Sequence, residues 1–247
     1  MRYLVLTDIH ANLEALEACI ADGGARGYDR ALVLGDLVGY GADPNAVIEC
    51  IQRLNPHAIV RGNHDKVASG LEQAEGFNSV AKSAAHWTFD LLTPAHREWL
   101  AALPAGPHNV DDLVQICHGS PFDEDAYIFE DLDALRALKS SERPLCLFGH
   151  THYPATFELS SDAFDSIGPS ADAESRLVLK QDAKYLVNPG SVGQPRDGDP
   201  RAAYAIVDVE NGWVEMLRLA YPVERAQAKV VKAGLPDVLA QRLGMGR

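Results

Sequence analysis

The sequence predicts an α/β domain with strand–helix alternation in its first half, a strand-rich second half and helices on the outside. Three observations predict it. Short apolar runs bounded by glycine alternate with helically spaced segments over the first sixty residues, and such alternation implies parallel strands. The second half carries short strand-like runs joined by brief links. The chain has 247 residues, 47% of them hydrophobic, enough for one substantial core, so residues 1–247 are read as a single domain.

The elements follow in order. Tyr3–Leu6 is a first strand, and Leu13, Leu16 and Ile20 mark a helix over Asn12–Ala21 that Gly23-Gly24 should end. Ala31–Leu34 is a second strand. Pro44 suits a first helical turn, and Val47, Ile48, Ile51 and Leu54 form the apolar stripe of that helix. Ala58–Val60 is a third strand. Residues 78–103 read as helix interrupted at Thr93-Pro94, Leu113–Cys117 and Leu145–Phe148 as buried strands, and Asp131–Lys139 as a short helix. Ala155–Leu159, Arg176–Lys180, Tyr185–Val187 and Ala203–Val209 are strand-like. Asn211-Gly212 signals a hairpin into Trp213–Leu217, and a last helix runs over Val223–Leu243. Ser160–Ser175, rich in Ser, Asp, Ala, Gly and Pro, reads as a mobile loop. No internal repeat is present.

Composition narrows the function. The net charge of −13 argues against stable nucleic-acid binding, which needs a basic face. No uncharged apolar run approaches the roughly 20 residues of a membrane span. The first apolar run is too short for a secretion signal, so the cytoplasm is the expected location. Cys19, Cys50, Cys117 and Cys146 form no CxxC pair and read as buried reduced thiols. Nothing in the sequence fixes an oligomeric state.

Five of the apolar runs end in metal-binding residue types. They deliver Asp8 and His10; Asp36; Asn63-His64-Asp65; His118; and His150 and His152. In α/β sheets, ligands sit at the carboxyl ends of strands. Residues i and i+2 on a strand point the same way, so Asp8 and His10 can share one ion. Mixed Asp, Asn and His donors suit manganese, zinc, iron, cobalt or nickel.

The ordered set Asp8-Ile9-His10, Gly35-Asp36, Gly62-Asn63-His64-Asp65, His118 and Gly149-His150-Thr151-His152, between about residues 4 and 195, resembles the calcineurin-like metallophosphoesterase superfamily. Gly39-Tyr40-Gly41 and Asn188-Pro189-Gly190-Ser191 are similar to its small prokaryotic phosphodiesterase branch. The resemblance implies a sandwich of two mixed sheets flanked by helices in αββα layers. It implies two divalent metal ions, manganese first, with zinc, iron, nickel or cobalt as alternatives. Asp8, His10 and His152 would hold the first ion, Asn63, His118 and His150 the second, and Asp36 would bridge them. His64 would stand beside the substrate, oriented by Asp65.

Bound ions can lower the pKa of water from 15.7 to about 7, worth roughly 12 kcal/mol, more than any side chain here supplies. The expected activity is that of a phosphodiesterase acting on a small or nucleotide-like phosphate ester. Hydroxide formed at the ions would attack phosphorus in line, and His64 would protonate the leaving oxygen. Alternatives are a phosphomonoesterase or phosphoprotein phosphatase, a dinucleoside polyphosphate hydrolase, or a non-catalytic interaction module, against which the intact donor set argues. Asn12, Tyr40 and Arg196 are candidate substrate contacts, with Asn12 better placed to cap a helix. Pro121-Phe122 is a candidate apolar wall. Asp123, Glu124 and Asp125 are expected to be solvated, and His57, His86, His96 and His108 have no assigned role.

Overall fold

A computed structural model describes residues 1–161, 163–168, 170 and 172–247. The first part contains β1 (Arg2–Leu6), α1 (Leu13–Arg26), β2 (Arg30–Val33), α2 (Pro44–Leu54), β3 (Ala58–Ile59), α3 (Asn63–Ser69), α4 (Ser79–Leu91) and α5 (Pro94–Ala101). The middle contains β4 (His108–Asn109), β5 (Val114–Ile116), α6 (Asp131–Ser140), β6 (Leu145–Leu147), β7 (Ala155–Leu159), β8 (Phe164–Ile167) and β9 (Glu174–Val178). The last part contains β10 (Lys184–Asn188), β11 (Ala202–Asp208), β12 (Trp213–Leu219), α7 (Val223–Lys232) and α8 (Asp237–Met245).

These strands form two mixed six-stranded sheets, in the orders β3-β2-β1-β11-β12-β9 and β4-β5-β6-β10-β7-β8. In the first, β1, β2 and β3 are parallel, with Leu4 opposite Ala31, and β11 runs antiparallel to β1, with Leu4 opposite Ile206. In the second, β5, β6 and β10 are parallel, with Cys146 between Gln115 and Leu186.

The period-two alternation of strand side chains decides the layering. Leu4 and Leu6 of β1 face the helices and pack with Leu16, Val47, Ile48 and Ile51. Tyr3 and Val5 face the other way and pack with Val114, Ile116, Leu147 and Val187 of the second sheet. The outer face of that sheet gives Cys146, Phe148 and Leu186 to α6 through Ala134, Ala137 and Leu138. The result is the expected αββα sandwich. All four cysteines are free thiols.

Several boundaries depart from the sequence expectation. Gly23-Gly24 does not end α1, which continues to Arg26. Gly23 is buried against Leu4, where a Cβ would lie 2.8 Å from Leu4 Cδ1, so the glycine serves close helix–sheet approach. The last helix is two, because Gly234 and Pro236 lie between α7 and α8. The stretch 160–175 contains β8 and the start of β9 rather than one loop; the part of the expectation that falls on residues 162, 169 and 171 lies outside the described residues. The segment Asn63–Ser69 after the third strand, to which the sequence reading gave no element, forms the helix α3. The expected hairpin joins β11 to β12 through Asn211-Gly212, with Asp208 pairing opposite Trp213. Among the described residues, no helix is long and apolar enough to cross a membrane.

Candidate metal centre

The carboxyl ends of β1, β2 and β3 meet those of β5 and β6 at one edge of the sandwich, so the donor residues come from both sheets. Two buried clusters form there. Asp8, His10, Asp36 and His152 make one, and Asp36, His118 and His150 the other; within each, the candidate ligand atoms lie within 4.8 Å of one another. Asp36 belongs to both. Its Oδ1 accepts the His64 backbone N–H at 2.9 Å. Its Oδ2 lies 3.5 Å from His10 Nε2 and 3.4 Å from His118 Nε2, between the clusters. Asn63 Oδ1 stands 3.4 Å from His118 Nε2, on the second side.

The ring partners fix which nitrogen of each histidine is available. His10 Nδ1 pairs with the Val38 carbonyl at 3.1 Å, His118 Nδ1 with the Leu34 carbonyl at 2.8 Å and His152 Nδ1 with the Gln194 carbonyl at 2.6 Å. His150 instead uses Nε2, 3.0 Å from the Asp125 carbonyl. A carbonyl only accepts, so each imidazole donates that N–H and turns its other nitrogen inward. This is how metal-binding histidines are held. One contact makes the case sharply. His10 Nε2 and His152 Nε2 are 3.0 Å apart, yet both carry lone pairs once their Nδ1 atoms donate. A cation placed among them would turn that repulsion into ligation.

Electrostatics points the same way. Burial holds His10 and His152 well below the usual histidine range and lowers His150 to about 3, leaving all three neutral. Burial would lower His118 as well, but the Asp36 carboxylate beside it raises it to about 10. Burial pushes Asp8 up to about 6, and burial together with the Asp36 charge pushes Asp65 up to about 7. Carboxylates crowded in a dry pocket repel one another, and bound cations invert that logic. The donors therefore fit a pair of divalent ions.

Building this pocket strains the backbone. Among the described residues, eight non-glycine residues have positive φ, and all but Asn55 lie in the site loops: Asp8, His10, Ala11, Asp36, Tyr40, His150 and His152. Each costs on the order of 1 kcal/mol, and such strain gathers at functional sites. Two glycines permit the close approach of the loops. A Cβ on Gly62 would lie 2.1 Å from Asp36 Oδ1, and one on Gly149 would lie 2.0 Å from Thr7 Oγ1 and 2.6 Å from Asp8 Oδ2. The 188–191 segment buttresses the same loops. Asn188 Nδ2 donates to the Gly149 carbonyl at 2.8 Å, and the Ser191 hydroxyl donates to the Asp8 carbonyl at 2.8 Å.

Around the donors, several expectations change. The Asp65 carboxylate does not touch the His64 ring. It accepts the Leu37 and Val38 N–H groups at 2.9 and 3.2 Å and the Gly62 N–H at 2.9 Å, and so ties the Asp36 loop to the start of α3. The His64 ring packs among His10, Tyr40 and Phe77, at 4.9, 4.4 and 4.5 Å between centroids. Burial lowers it to about 4, despite the opposing pull of Asp36. It is neutral at pH 7 rather than a charged proton donor.

Asn12 is not free for substrate. Its Oδ1 accepts the Ala15 N–H at 3.2 Å, capping α1, and its Nδ2 donates to the Gly193 carbonyl at 2.8 Å and to the Tyr221 hydroxyl at 3.1 Å. Phe122 is no wall of the site, since it packs against the α6 side of the second sheet with the Arg136 guanidinium 3.8 Å above its ring. Glu124 and Asp125 are not merely solvated. Glu124 pairs with Arg61 at 3.0 Å, and Asp125 pairs with Lys66 at 2.5 Å. Tyr40 and Arg196 do lie together beside the donors, with the guanidinium 5.7 Å from the Tyr40 ring centre.

A family model, the calcineurin-like phosphoesterase superfamily domain, matches residues 1–212. The chain belongs to this superfamily. An uncharacterized protein of Methanocaldococcus jannaschii is 38% identical to this calcineurin-like phosphoesterase over 248 residues, covering 98% of this chain and 97% of that protein. The crystal structure of a metallophosphoesterase from Sphaerobacter thermophilus is similar with a TM-score of 0.87 and 37% identity, each chain being covered in full (100%). That of a hypothetical protein from Pyrococcus horikoshii OT3 has a TM-score of 0.79 at 21% identity, covering 100% of this chain and 98% of that one, and shows the common fold.

Sequence reasoning missed other parts of this calcineurin-like site. The carbonyls of Leu34, Val38, Asp125 and Gln194 carry no residue signature, since any residue supplies one. Tyr127, whose ring stacks on His150 at 3.8 Å between centroids, and Phe77 over His64 had a weak signal at best, an aromatic in a loop.

Proposed function

We propose that the chain is a dinuclear-metal phosphodiesterase that hydrolyses a small or nucleotide-like phosphate ester. The observation that carries this is the position of Asp36 Oδ2 between two buried, inward-facing donor sets. Asp8, His10 and His152 would hold one ion, Asn63, His118 and His150 the other, with Asp36 shared. Two divalent ions held there would supply a nucleophile from water at neutral pH and neutralise phosphoryl oxygens.

The chain's own residues do the rest. The three backbone N–H groups on Asp65 keep Asp36 and Asn63 in register, so Asp65 is a positioning residue. His64 Nδ1 is buried without a hydrogen-bond partner among the described residues, which leaves Nε2 to carry the proton of the neutral ring. That N–H would donate a hydrogen bond to the oxygen on which charge develops as the ester bond breaks. Arg196 would pair with a phosphoryl oxygen, its guanidinium presented over Tyr40. We assign manganese as the first ion to test and the cytoplasm as the location.

The test is side-by-side turnover of an aryl phosphodiester, an aryl monoester, a cyclic nucleotide and a diadenosine polyphosphate by manganese-loaded protein. The proposal expects the aryl diester or a nucleotide substrate to be preferred over the monoester. Dominant monoester turnover would replace it with a phosphatase. Absence of any turnover with two bound ions would leave an interaction module on the same fold.

A further inference from the structure

A cleft of about 740 Å³ adjoins the metal centre, and its lining includes Tyr40, Tyr127, Tyr153, Arg196, Asp197 and Arg242. Cavities of 300–1,000 Å³ take ligands the size of a nucleotide, whereas a lone phosphate would leave most of this one empty. Two of its walls reach the donors directly. Tyr127 stacks on His150, and Tyr40 lies 4.8 Å from the His10 ring centre. The cleft therefore lies where the leaving group of a bound ester would extend.

Its lining is unusual for so acidic a chain. Among the described residues, neither Arg196 nor Arg242 lies within 4.0 Å of a carboxylate, although Asp and Glu outnumber Lys and Arg by 35 to 22. The carboxylate in the lining, Asp197, is already engaged by Arg218. The Arg196 side chain donates to Gln194 Oε1 at 3.1 Å. Three arginines, Arg196, Arg242 and Arg247, thus line one cavity with no carboxylate paired to their guanidinium groups among the described residues, and guanidinium matches phosphate oxygens in bidentate geometry. Beside them runs an exposed aromatic strip. Tyr127, Phe129 and Tyr153 are 47%, 61% and 44% exposed. The first two stack at 5.3 Å, and Phe129 meets Tyr153 edge-on at 6.5 Å. Exposed aromatic faces beside unpaired arginines suit a base joined to phosphate. Arg242 belongs to α8, beyond the residues 1–212 that the family model matches.

We infer that this cleft is a leaving-group subsite for a nucleotide bearing at least one phosphate beyond the scissile one, with the base on the Tyr127–Phe129–Tyr153 strip and the distal phosphate on Arg242. The inference rests on the proposed phosphoesterase activity and deepens it. In hydrolysis, water adds its oxygen to the scissile phosphorus, and the bridging P–O bond breaks. The leaving oxygen keeps that electron pair and ends protonated, on a nucleotide that retains its distal phosphate.

The test is calorimetric titration of manganese-loaded protein with α,β-methylene-ADP, which cannot be cleaved at its bridge, and with AMP. The methylene analogue can engage the metal centre and Arg242 at once, whereas the single phosphate of AMP, drawn to the ions, leaves Arg242 empty, so the analogue should bind roughly tenfold tighter or more, the worth of a charged hydrogen bond. Arg242→Ala should abolish that difference, and Arg242→Lys should restore part of it. Tyr127→Ala should weaken both ligands alike. Equal binding of the two ligands, or a difference that survives Arg242→Ala, overturns the subsite. Turnover of bis(p-nitrophenyl) phosphate by the same wild-type preparation reports separately on the hydrolase. Turnover without the binding preference removes only the subsite, and the preference without turnover of any ester removes the hydrolase.

Discussion

Gly62→Ala puts the site's geometry to a severe test. A Cβ at this position would lie 2.1 Å from Asp36 Oδ1, 2.5 Å from the Asp36 backbone nitrogen and 2.8 Å from its Cγ. Asp36 Oδ1 would have to retreat by about 1.3 Å to reach the 3.4 Å at which ordinary contact begins. The obstacle is partly backbone, so no rotamer change relieves it. The same carboxylate has its Oδ2 3.4–3.5 Å from one histidine of each cluster, and metal sites tolerate errors of only about 0.2 Å in ligand position. Gly62→Ala should therefore lose at least one of the two ions, and a misplacement of about 1 Å should lower turnover roughly 10²-fold. Overpacking should also cost about 1–3 kcal/mol of stability. Gly24→Ala is the counterpart. A Cβ on Gly24 meets nothing within 4 Å, and within α1 the change should stabilise by about 0.5–1 kcal/mol with metal content unaltered. Elemental analysis, circular dichroism and aryl diester turnover read all three effects. A folded Gly62→Ala protein holding two ions at wild-type turnover would refute the tight coupling of Gly62 to Asp36.

Other outcomes follow from the same geometry. Asp36→Asn and His118→Ala should each lower the metal content measured after gel filtration, Asp36→Asn affecting both ions because the residue is shared. His64→Ala should keep both ions and lower turnover by about 10²-fold or more, the usual worth of a positioned donor at developing charge; unaltered turnover would remove His64 from the reaction. His118 without metal is held protonated up to about 10, so ion binding at pH 7 must displace its proton. Affinity should therefore weaken as pH falls, by up to roughly tenfold per unit for one displaced proton. Calorimetry in buffers of different ionisation enthalpy would detect the released proton, and pH-independent affinity from pH 6 to 8 would contradict it.

The donor side chains were legible because chemistry of this kind interrupts a pattern. Asp, His or Asn at the end of a Val- and Leu-rich strand breaks the apolar run, and the break is visible in residue type alone. The αββα arrangement was implied by the family resemblance, and the structure realises it by dividing the uniformly apolar β1, with Leu4 and Leu6 toward the helix layer and Tyr3 and Val5 toward the second sheet. What stayed hidden depends on contacts between distant segments. Asp65 was expected to serve His64, but its oxygens meet backbone N–H groups that no residue name announces. Asn12 had two plausible uses, and the approach of Gly193 and Tyr221 decides between them. Gly23-Gly24 looked like a helix end, and packing against Leu4 overrides that propensity. The break between α7 and α8 carried its own signal, Gly234 followed by Pro236.

The most direct measurement is anomalous diffraction from crystals of the manganese-loaded protein, collected at energies on either side of the metal edge. Two peaks roughly 3.5–4 Å apart on opposite sides of the Asp36 carboxylate, one beside His10 and His152 and the other beside His118 and His150, are the expected result. A single peak away from Asp36, or none in crystals holding two equivalents of manganese, would contradict the shared-carboxylate centre.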